Sequence, residues 1–220
     1  MKTFFTFLAL GLVLPLSVVA DEVLFQDNFN GKLGAGWSWV REDREGWRVS
    51  ERGLEVRVQP GNLWGKANDA KNVLVRPAPD TTPGELDITV TVENRPTNQY
   101  EQVNLSWYYD ESHMVKLGQE LVDGKLCIVM GREEADRTRT VKILPLTSDR
   151  VKLRYLVSGN RLRGQFQPEG SATWLEVGEC DLPVPEKAKA QISLQFYQGP
   201  ADAEHWARVT EFCVRRRATH

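Results

Sequence analysis

Hydrophobic and polar residues alternate with a period of two along most of this chain, and no long segment has the spacing of an amphipathic helix. Side chains of a strand point alternately to its two faces, so each alternating run predicts a strand with one buried and one solvated face. The runs are residues 54–58, 86–92, 101–109, 115–121, 151–155, 161–167, 191–197 and 209–214.

Turn-forming residues separate these runs. Ser158-Gly159-Asn160 lies between two of these runs, Asp123-Gly124 follows the run that ends at residue 121, and both predict hairpins. The charged stretch Gly131–Arg139 reads less clearly, and we expect an exposed strand end or a loop there. Short strands with regular turns, no linker and no internal repeat predict a single all-β domain, a β-sandwich or jelly roll.

The first residues have the parts of a secretory signal peptide: Lys2, an uncharged apolar run over residues 4–20, and the small residues Val18 and Ala20. A membrane anchor is the rival interpretation, but the run is slightly shorter than the ~20 residues that a span needs. We therefore expect a signal peptide at 1–20, cleavage before Asp21, and a mature domain at 21–220. Such a protein is secreted, extracellular or periplasmic, and has no membrane attachment after cleavage.

Charge and cysteine content narrow the partners and the redox chemistry. The chain has 28 Lys and Arg against 30 Asp and Glu, so it offers no net positive charge for nucleic acid. Export permits a disulfide, but an odd number of cysteines leaves at least one thiol unpaired, and the sequence does not decide the pairing. No zinc-ligand spacing occurs, so we expect small buried cysteines and assign no metal residues. The cysteines are Cys127, Cys180 and Cys213.

The run 101–109 and the run after it carry the most polar surface. If the two strands pair, amides, hydroxyls, opposite charges and a tyrosine share one face. These groups suit a sugar, because its hydroxyls need planar hydrogen-bonding partners and its C–H face packs on an aromatic ring. An ordinary solvated face with a cross-strand Lys–Glu pair is the alternative. The residues on this face are Gln102, Asn104, Ser106, Tyr108, Lys116 and Glu120.

A loop rich in Gly and Asn at residues 60–70 contains Trp64 and Asn68. A tryptophan beside polar loop residues can stack on a sugar, and we expect these two residues to close one end of the polar face. The alternative is that Trp64 only anchors its own loop. The predicted carbohydrate-binding residues are Trp64, Asn68, Gln102, Tyr108, Lys116 and Glu120.

An ordered set of short motifs resembles one group of domains. The motifs are Phe25-x-Asp27-x-Phe29, Trp37-x-Trp39-x-Arg41-Glu42-Asp43, Trp47, Leu63-Trp64-Gly65, Asn68-Asp69-Ala70-x-Asn72, Tyr100-Glu101-Gln102 and Lys116-Leu117-Gly118. From about Leu24 to Val214, the chain resembles the concanavalin A-like domains at the C-terminus of family 43 glycoside hydrolases (β-xylosidases). It also resembles the related bacterial domain of unknown function 1349.

The resemblance implies two antiparallel sheets with a concave polar face, which receives glycan in related lectins and glucanases. Related sandwiches often hold a structural calcium on the convex side near the termini, and Asp27 would be its acid here. No other cofactor is implied. In the β-xylosidases the domain accompanies a separate catalytic propeller, which this chain is too short to include.

An enzyme of the same fold is the main functional alternative. Sandwiches that resemble laminarinases carry Glu-x-Asp-x-x-Glu on one strand, which places two catalytic carboxylates in one cleft. The nearest match begins at Glu85 and Asp87, but Val90 occupies the third acid position, so we assign no catalytic residue. We therefore predict a secreted carbohydrate-binding module whose partner is a glycan or polysaccharide. A glycan-active hydrolase or lyase, and a structural or protein-binding module of the cell surface, are the alternatives, and the oligomeric state is open.

Overall fold

A computed structural model describes residues 20–218, which form fifteen β-strands and a 3-10 turn at Arg44–Gly46. The predicted signal peptide lies outside the described residues, apart from Ala20. The strands are β1 (Glu22–Asp27), β2 (Ser38–Val40), β3 (Trp47–Ser50), β4 (Gly53–Arg57), β5 (Val73–Pro77), β6 (Leu86–Glu93), β7 (Gln102–Asp110), β8 (His113–Val122), β9 (Lys125–Glu134), β10 (Arg137–Pro145), β11 (Arg150–Ser158), β12 (Arg161–Pro168), β13 (Leu175–Asp181), β14 (Gln191–Tyr197) and β15 (Trp206–Arg216).

The strands form two antiparallel sheets, which we call sheet A and sheet B. Sheet A has eight strands in the order β13-β12-β11-β6-β15-β4-β3, with β1 also paired to β15. Sheet B has seven strands in the order β10-β9-β8-β7-β14-β5-β2. The predicted all-β, concanavalin A-like sandwich is confirmed.

The hydrophobic core lies between the two sheets and follows from the alternation of each strand. Leu105 and Trp107 of β7 point inward, and Trp107 is only 1% exposed. Tyr155 reaches across from sheet A, and its hydroxyl lies 3.0 Å from the backbone carbonyl oxygens of Leu105 and of Val115. A buried hydroxyl needs such a partner, so this contact links the two sheets by a polar bond inside an apolar core.

The charged stretch Gly131–Arg139 is more regular than the sequence suggests. Strand β9 continues to Glu134, β10 begins at Arg137, and the two residues between them have φ angles of 50° and 60°. Two successive positive φ angles are typical of a type I′ hairpin turn. The segment is therefore a continuous hairpin at the edge of sheet B.

The three cysteines are buried and unpaired in the described part of the chain. Burial raises the pKa of all three thiols, and that of Cys180 reaches about 11. They therefore serve as small packing residues with little thiolate at neutral pH. The burial predicted for Cys127 is what the structure has.

Asp27, the acid that the resemblance associates with calcium, holds a turn. Its carboxylate accepts hydrogen bonds from the backbone nitrogens of Phe29 and Gly34, at 2.7 and 2.8 Å, and from the Trp37 indole at 3.0 Å. Within residues 20–218, no group of three or more His, Cys, Asp or Glu side chains is arranged to hold a metal ion. Over the same residues, the structure has no helix long and apolar enough to cross a membrane.

Candidate functional site

The polar face predicted for β7 and β8 exists, and it is the face of sheet B that points away from the core. The two strands pair antiparallel, with Gln102 opposite Glu120 and Ser106 opposite Lys116. Across β8, Lys116 lies opposite Gly131 of β9. Residues that are distant in sequence therefore form rows across one surface.

A cavity of about 460 Å³ opens on this face, a size within the range of small-molecule sites. Strands β7, β8 and β9 form its floor, while the loop before β5, the segments flanking β7 and β14, and strand β10 surround it. It brings together four of the six predicted binding residues. The lining residues are Asn62, Trp64, Tyr100, Gln102, Lys116, Glu120, Val122, Val129, Thr140, Ile143 and Gln198.

A buried ion pair occupies the floor of the cavity. Lys116 is only 3% exposed, and its ammonium donates to Gln102 Oε1 at 2.6 Å and to Glu120 Oε2 at 3.0 Å. Burial lowers the pKa of Lys116, and the adjacent Glu120 carboxylate opposes that effect. The Gln102 amide nitrogen donates to the Tyr100 carbonyl at 2.8 Å, so the network fixes the orientation of Gln102. A network satisfied in this way presents rigid polar groups to whatever enters the cavity.

One strong acceptor in the cavity is unused. Glu120 contributes Oε2 to the ion pair, while its Oε1 accepts no hydrogen bond from the described part of the chain. The side chains of Thr140 and Gln198, which also line the cavity, make no hydrogen bond with the described residues. These groups can therefore receive the hydroxyls of a ligand.

Trp64 both lines the cavity and anchors its loop. Its ring lies on Gly131 of β9, where a Cβ atom would come within 2.6 Å of the ring edge. The Lys116 ammonium is 4.6 Å from the ring centroid, a cation–π distance. Asn62 Oδ1 accepts from the backbone nitrogens of Leu63 and Trp64, which fixes the turn that aims the ring. The two interpretations of Trp64 that the sequence left open are therefore compatible.

Glu133 lies near the site and was not among the residues predicted from the sequence. Its side chain is fully buried beneath the Trp64 loop, and its carboxylate accepts from the Gly65 backbone nitrogen at 3.1 and 3.2 Å. Burial raises the pKa of Glu133 to about 7, and the Gly65 bond opposes this rise. Glu133 lies in a run of charged residues that gives no sign of burial. Its position beneath the Trp64 loop could be predicted only if β9 were known to continue to Glu134.

Tyr108 and Asn68 do not join the cavity. Tyr108 lies on the predicted face, but it is 5% exposed, and it packs with Leu63 and Met114 under the loop. The exposure that the sequence predicted for it is therefore wrong. Tyr108 lies six residues beyond Gln102, about 20 Å along the strand, too far to share one small cavity. Asn68 is half-buried in the loop and does not line the cavity.

The cavity contains one carboxylate, that of Glu120, among the described residues that line it. Glycoside hydrolysis by the usual mechanism requires two carboxyl groups on opposite sides of the scissile bond. Glu133 is close to Lys116 but lies beneath the loop, where both of its oxygens face the Gly65 N–H. Among the described residues, the cavity lining therefore supplies one of the two carboxyl groups that this mechanism uses.

The sequence matches the family described as the β-xylosidase C-terminal concanavalin A-like domain over residues 26–199. No curated protein sequence matches the chain. In structure it is similar to a GH43 protein from Bacillus licheniformis, with a TM-score of 0.74 and 18% identity over 89% of this chain and 39% of that one. A xylan β-1,4-xylosidase from Bacillus halodurans gives a TM-score of 0.74 and 18% identity over 87% of this chain and 39% of that one. The chain thus spans about two fifths of these proteins.

A smaller similar structure is the CBM2 module of the evolved Dit protein of a Lactobacillus casei phage. Its TM-score is 0.59 and its identity 8%, and the match covers 92% of this chain and 99% of that one. At these identities the structural matches show the fold alone.

Proposed function

Because this chain belongs to the family of β-xylosidase C-terminal concanavalin A-like domains, we propose that it is a carbohydrate-binding module whose ligand enters the cavity beside Trp64. Family membership also confirms the resemblance that the sequence motifs indicated. The observation that carries the proposal is the composition of the cavity: a rigid charged and amide floor, an indole wall and an unused carboxylate oxygen.

These groups match the chemistry of a sugar. Sugar hydroxyls require hydrogen-bonding partners in fixed positions. Gln102 and Glu120 are such partners, because the Lys116 ammonium donates to both side chains and holds them in place. The apolar C–H face of a sugar requires an aromatic surface, and the Trp64 ring forms one wall. At the mouth, Tyr100 is 49% exposed, so a second ring is open to solvent where a longer glycan would emerge.

We also propose that the protein works outside the cytoplasm. The support is the N-terminal sequence, with Lys2 before an uncharged apolar run and small residues ahead of Asp21. A glycan partner fits this location, since the family is named for β-xylosidases.

The proposal is tested by a glycan array on the mature domain, followed by calorimetry and a reducing-end release assay on each hit. Trp64→Ala should weaken binding about tenfold, since a stacked ring contributes up to ~1.5 kcal/mol and 1.4 kcal/mol is a factor of ten. Trp174→Ala is the matched control, because Trp174 is half-buried just before β13, where its ring packs on Arg154 of sheet A and does not line the cavity.

Two results would contradict the proposal. The first is an array without hits together with a melting temperature that no sugar moves. The second is a Glu120→Gln variant that binds as tightly as the parent protein while losing turnover, because a proton-transfer role adds ~10²–10⁴ in rate and would make the protein an enzyme.

A further inference from the structure

We infer that the cavity selects an uncharged sugar residue and rejects uronic acids, with Glu120 as the residue that determines this specificity. This inference rests on the proposed function, since it concerns the ligand of the same site. The charges on the cavity floor and the unused carboxylate oxygen of Glu120 carry it.

Lys116 is the only basic side chain among the described residues that line the cavity, and it is already committed. It donates to both Gln102 and Glu120, and the pair is almost fully buried. A ligand carboxylate would have to break this ion pair to obtain a positive partner. Removing one partner of a buried pair leaves an uncompensated charge, which is strongly unfavourable.

The remaining charge near the floor is negative. Glu120 lines the cavity and its Oε1 accepts no hydrogen bond from the described residues, while the Glu133 carboxylate lies close enough to Lys116 to influence its protonation. A uronate in the cavity would therefore approach the Glu120 carboxylate, which has the same charge. Juxtaposed like charges exclude a ligand far more effectively than weak contacts recruit it.

A neutral sugar meets the opposite situation. Its hydroxyls donate protons, and an ionised carboxylate oxygen is the strongest acceptor that a protein offers them. Glu120 Oε1 can accept from one hydroxyl or from two adjacent hydroxyls, without disturbing the bond from Oε2 to Lys116. Glu120 Oε1 thus stabilises a bound hydroxyl and repels a bound carboxylate.

The test uses three methyl β-glycosides that differ only in the substituent on C5: xyloside (H), glucoside (CH₂OH) and glucuronide (COO⁻). By calorimetry at neutral pH, the xyloside or the glucoside should bind, and the glucuronide should bind at least about tenfold more weakly than the better neutral ligand. Glu120→Gln should weaken the neutral ligand several-fold and reduce the discrimination to less than about threefold. Glu179→Gln is the control, because Glu179 is an exposed carboxylate on β13 and changes the net charge equally.

Glu120→Gln leaves the Lys116 ammonium buried without its ion partner and could prevent folding. The double variant Lys116→Met/Glu120→Gln removes both charges of the pair, so it tests the inference if the single variant does not fold. It should also lose the discrimination. The inference is overturned if the glucuronide binds the parent protein as tightly as the neutral glycosides, or if either folded variant still discriminates tenfold. If no glycoside and no array glycan binds at all, the proposed function itself has failed, and the two failures are thus distinguishable.

Discussion

Replacing Glu133 with glutamine should stabilise the folded protein at pH 8. The Glu133 side chain is fully buried, and its carboxylate accepts from the Gly65 nitrogen. Burial raises its pKa from the usual 4.5 to about 7, with Asp136 adding to the rise and the Gly65 bond, Lys116 and His113 opposing it. Glutamine has the same shape and keeps an oxygen for the Gly65 N–H, but it carries no charge to bury.

The magnitude follows from proton linkage. Between pH 4.5 and pH 7 the native state binds more protons at this site than the unfolded state, so the free energy of unfolding falls as pH rises. One pKa unit corresponds to about 1.4 kcal/mol, so the full shift is worth at most about 3.5 kcal/mol above pH 7. We expect Glu133→Gln to gain roughly 1–3 kcal/mol at pH 8 and close to nothing at pH 4.

Urea denaturation at pH 4 and pH 8 measures both values, provided that the slope with urea is unchanged. Glu134→Gln is a matched control, since this neighbouring carboxylate accepts from the Val184 nitrogen and pairs with Arg132, contacts that lower its pKa. Its stabilising effect is present above its unfolded pKa and is lost as pH falls, so its replacement should destabilise at pH 8. Destabilisation of Glu133→Gln by more than about 1 kcal/mol at pH 8 would refute the reasoning, because it would mean that the charged form is well solvated.

Four further outcomes are expected. Trp107→Ala should lose ~3–5 kcal/mol of stability, and Tyr108→Ala should lose at least ~2 kcal/mol because it too is buried; a loss near zero in urea melts for Tyr108→Ala would contradict its packing under the loop. Gly131→Ala should reduce glycan affinity in calorimetry by displacing the Trp64 ring, and unchanged affinity would show that the ring position does not matter. The three cysteines should react with a thiol reagent only after unfolding, and mass spectrometry of the non-reduced protein should find no disulfide. N-terminal sequencing of the exported protein should begin at Asp21, and an intact N-terminus would contradict cleavage.

The sequence predicted the class of fold because alternation is a local property. Each of the eight alternating runs overlaps an observed strand, including β7 and β8, whose inward residues Leu105, Trp107 and Val115 are buried as their period requires. Seven observed strands lie outside these runs: β1, β9, β10 and β13, and the shorter β2, β3 and β5. In β2, β3 and β5, three to five residues are too few for alternation to stand out, and pairing with neighbouring strands holds them in place.

The binding residues could be predicted only in part, again because alternation is a local property. Pairing of β7 with β8 could be anticipated from the short turn between them, and it brings Gln102, Lys116 and Glu120 together. The loop of Trp64 was also expected at one end of the face, but another wall comes from a segment with no local signal, Thr140 and Ile143 of β10. Their contribution depends on sheet order, which period-two alternation does not specify.

Alternation predicts the face of the sheet to which a side chain points. It does not predict which loops cover that face. On sheet B, the loop before β5 covers one end of the polar face with Leu63, so Tyr108 there becomes part of a second apolar cluster. At the other end, the same loop stops at Trp64, whose ring rests on Gly131 and leaves the floor around Glu120 open. One loop therefore decides which half of a chemically similar surface is core and which half is a cavity. Its position depends on Gly131 leaving room for the ring and on the Glu133 carboxylate holding the Gly65 N–H, contacts that span nearly 70 positions of sequence.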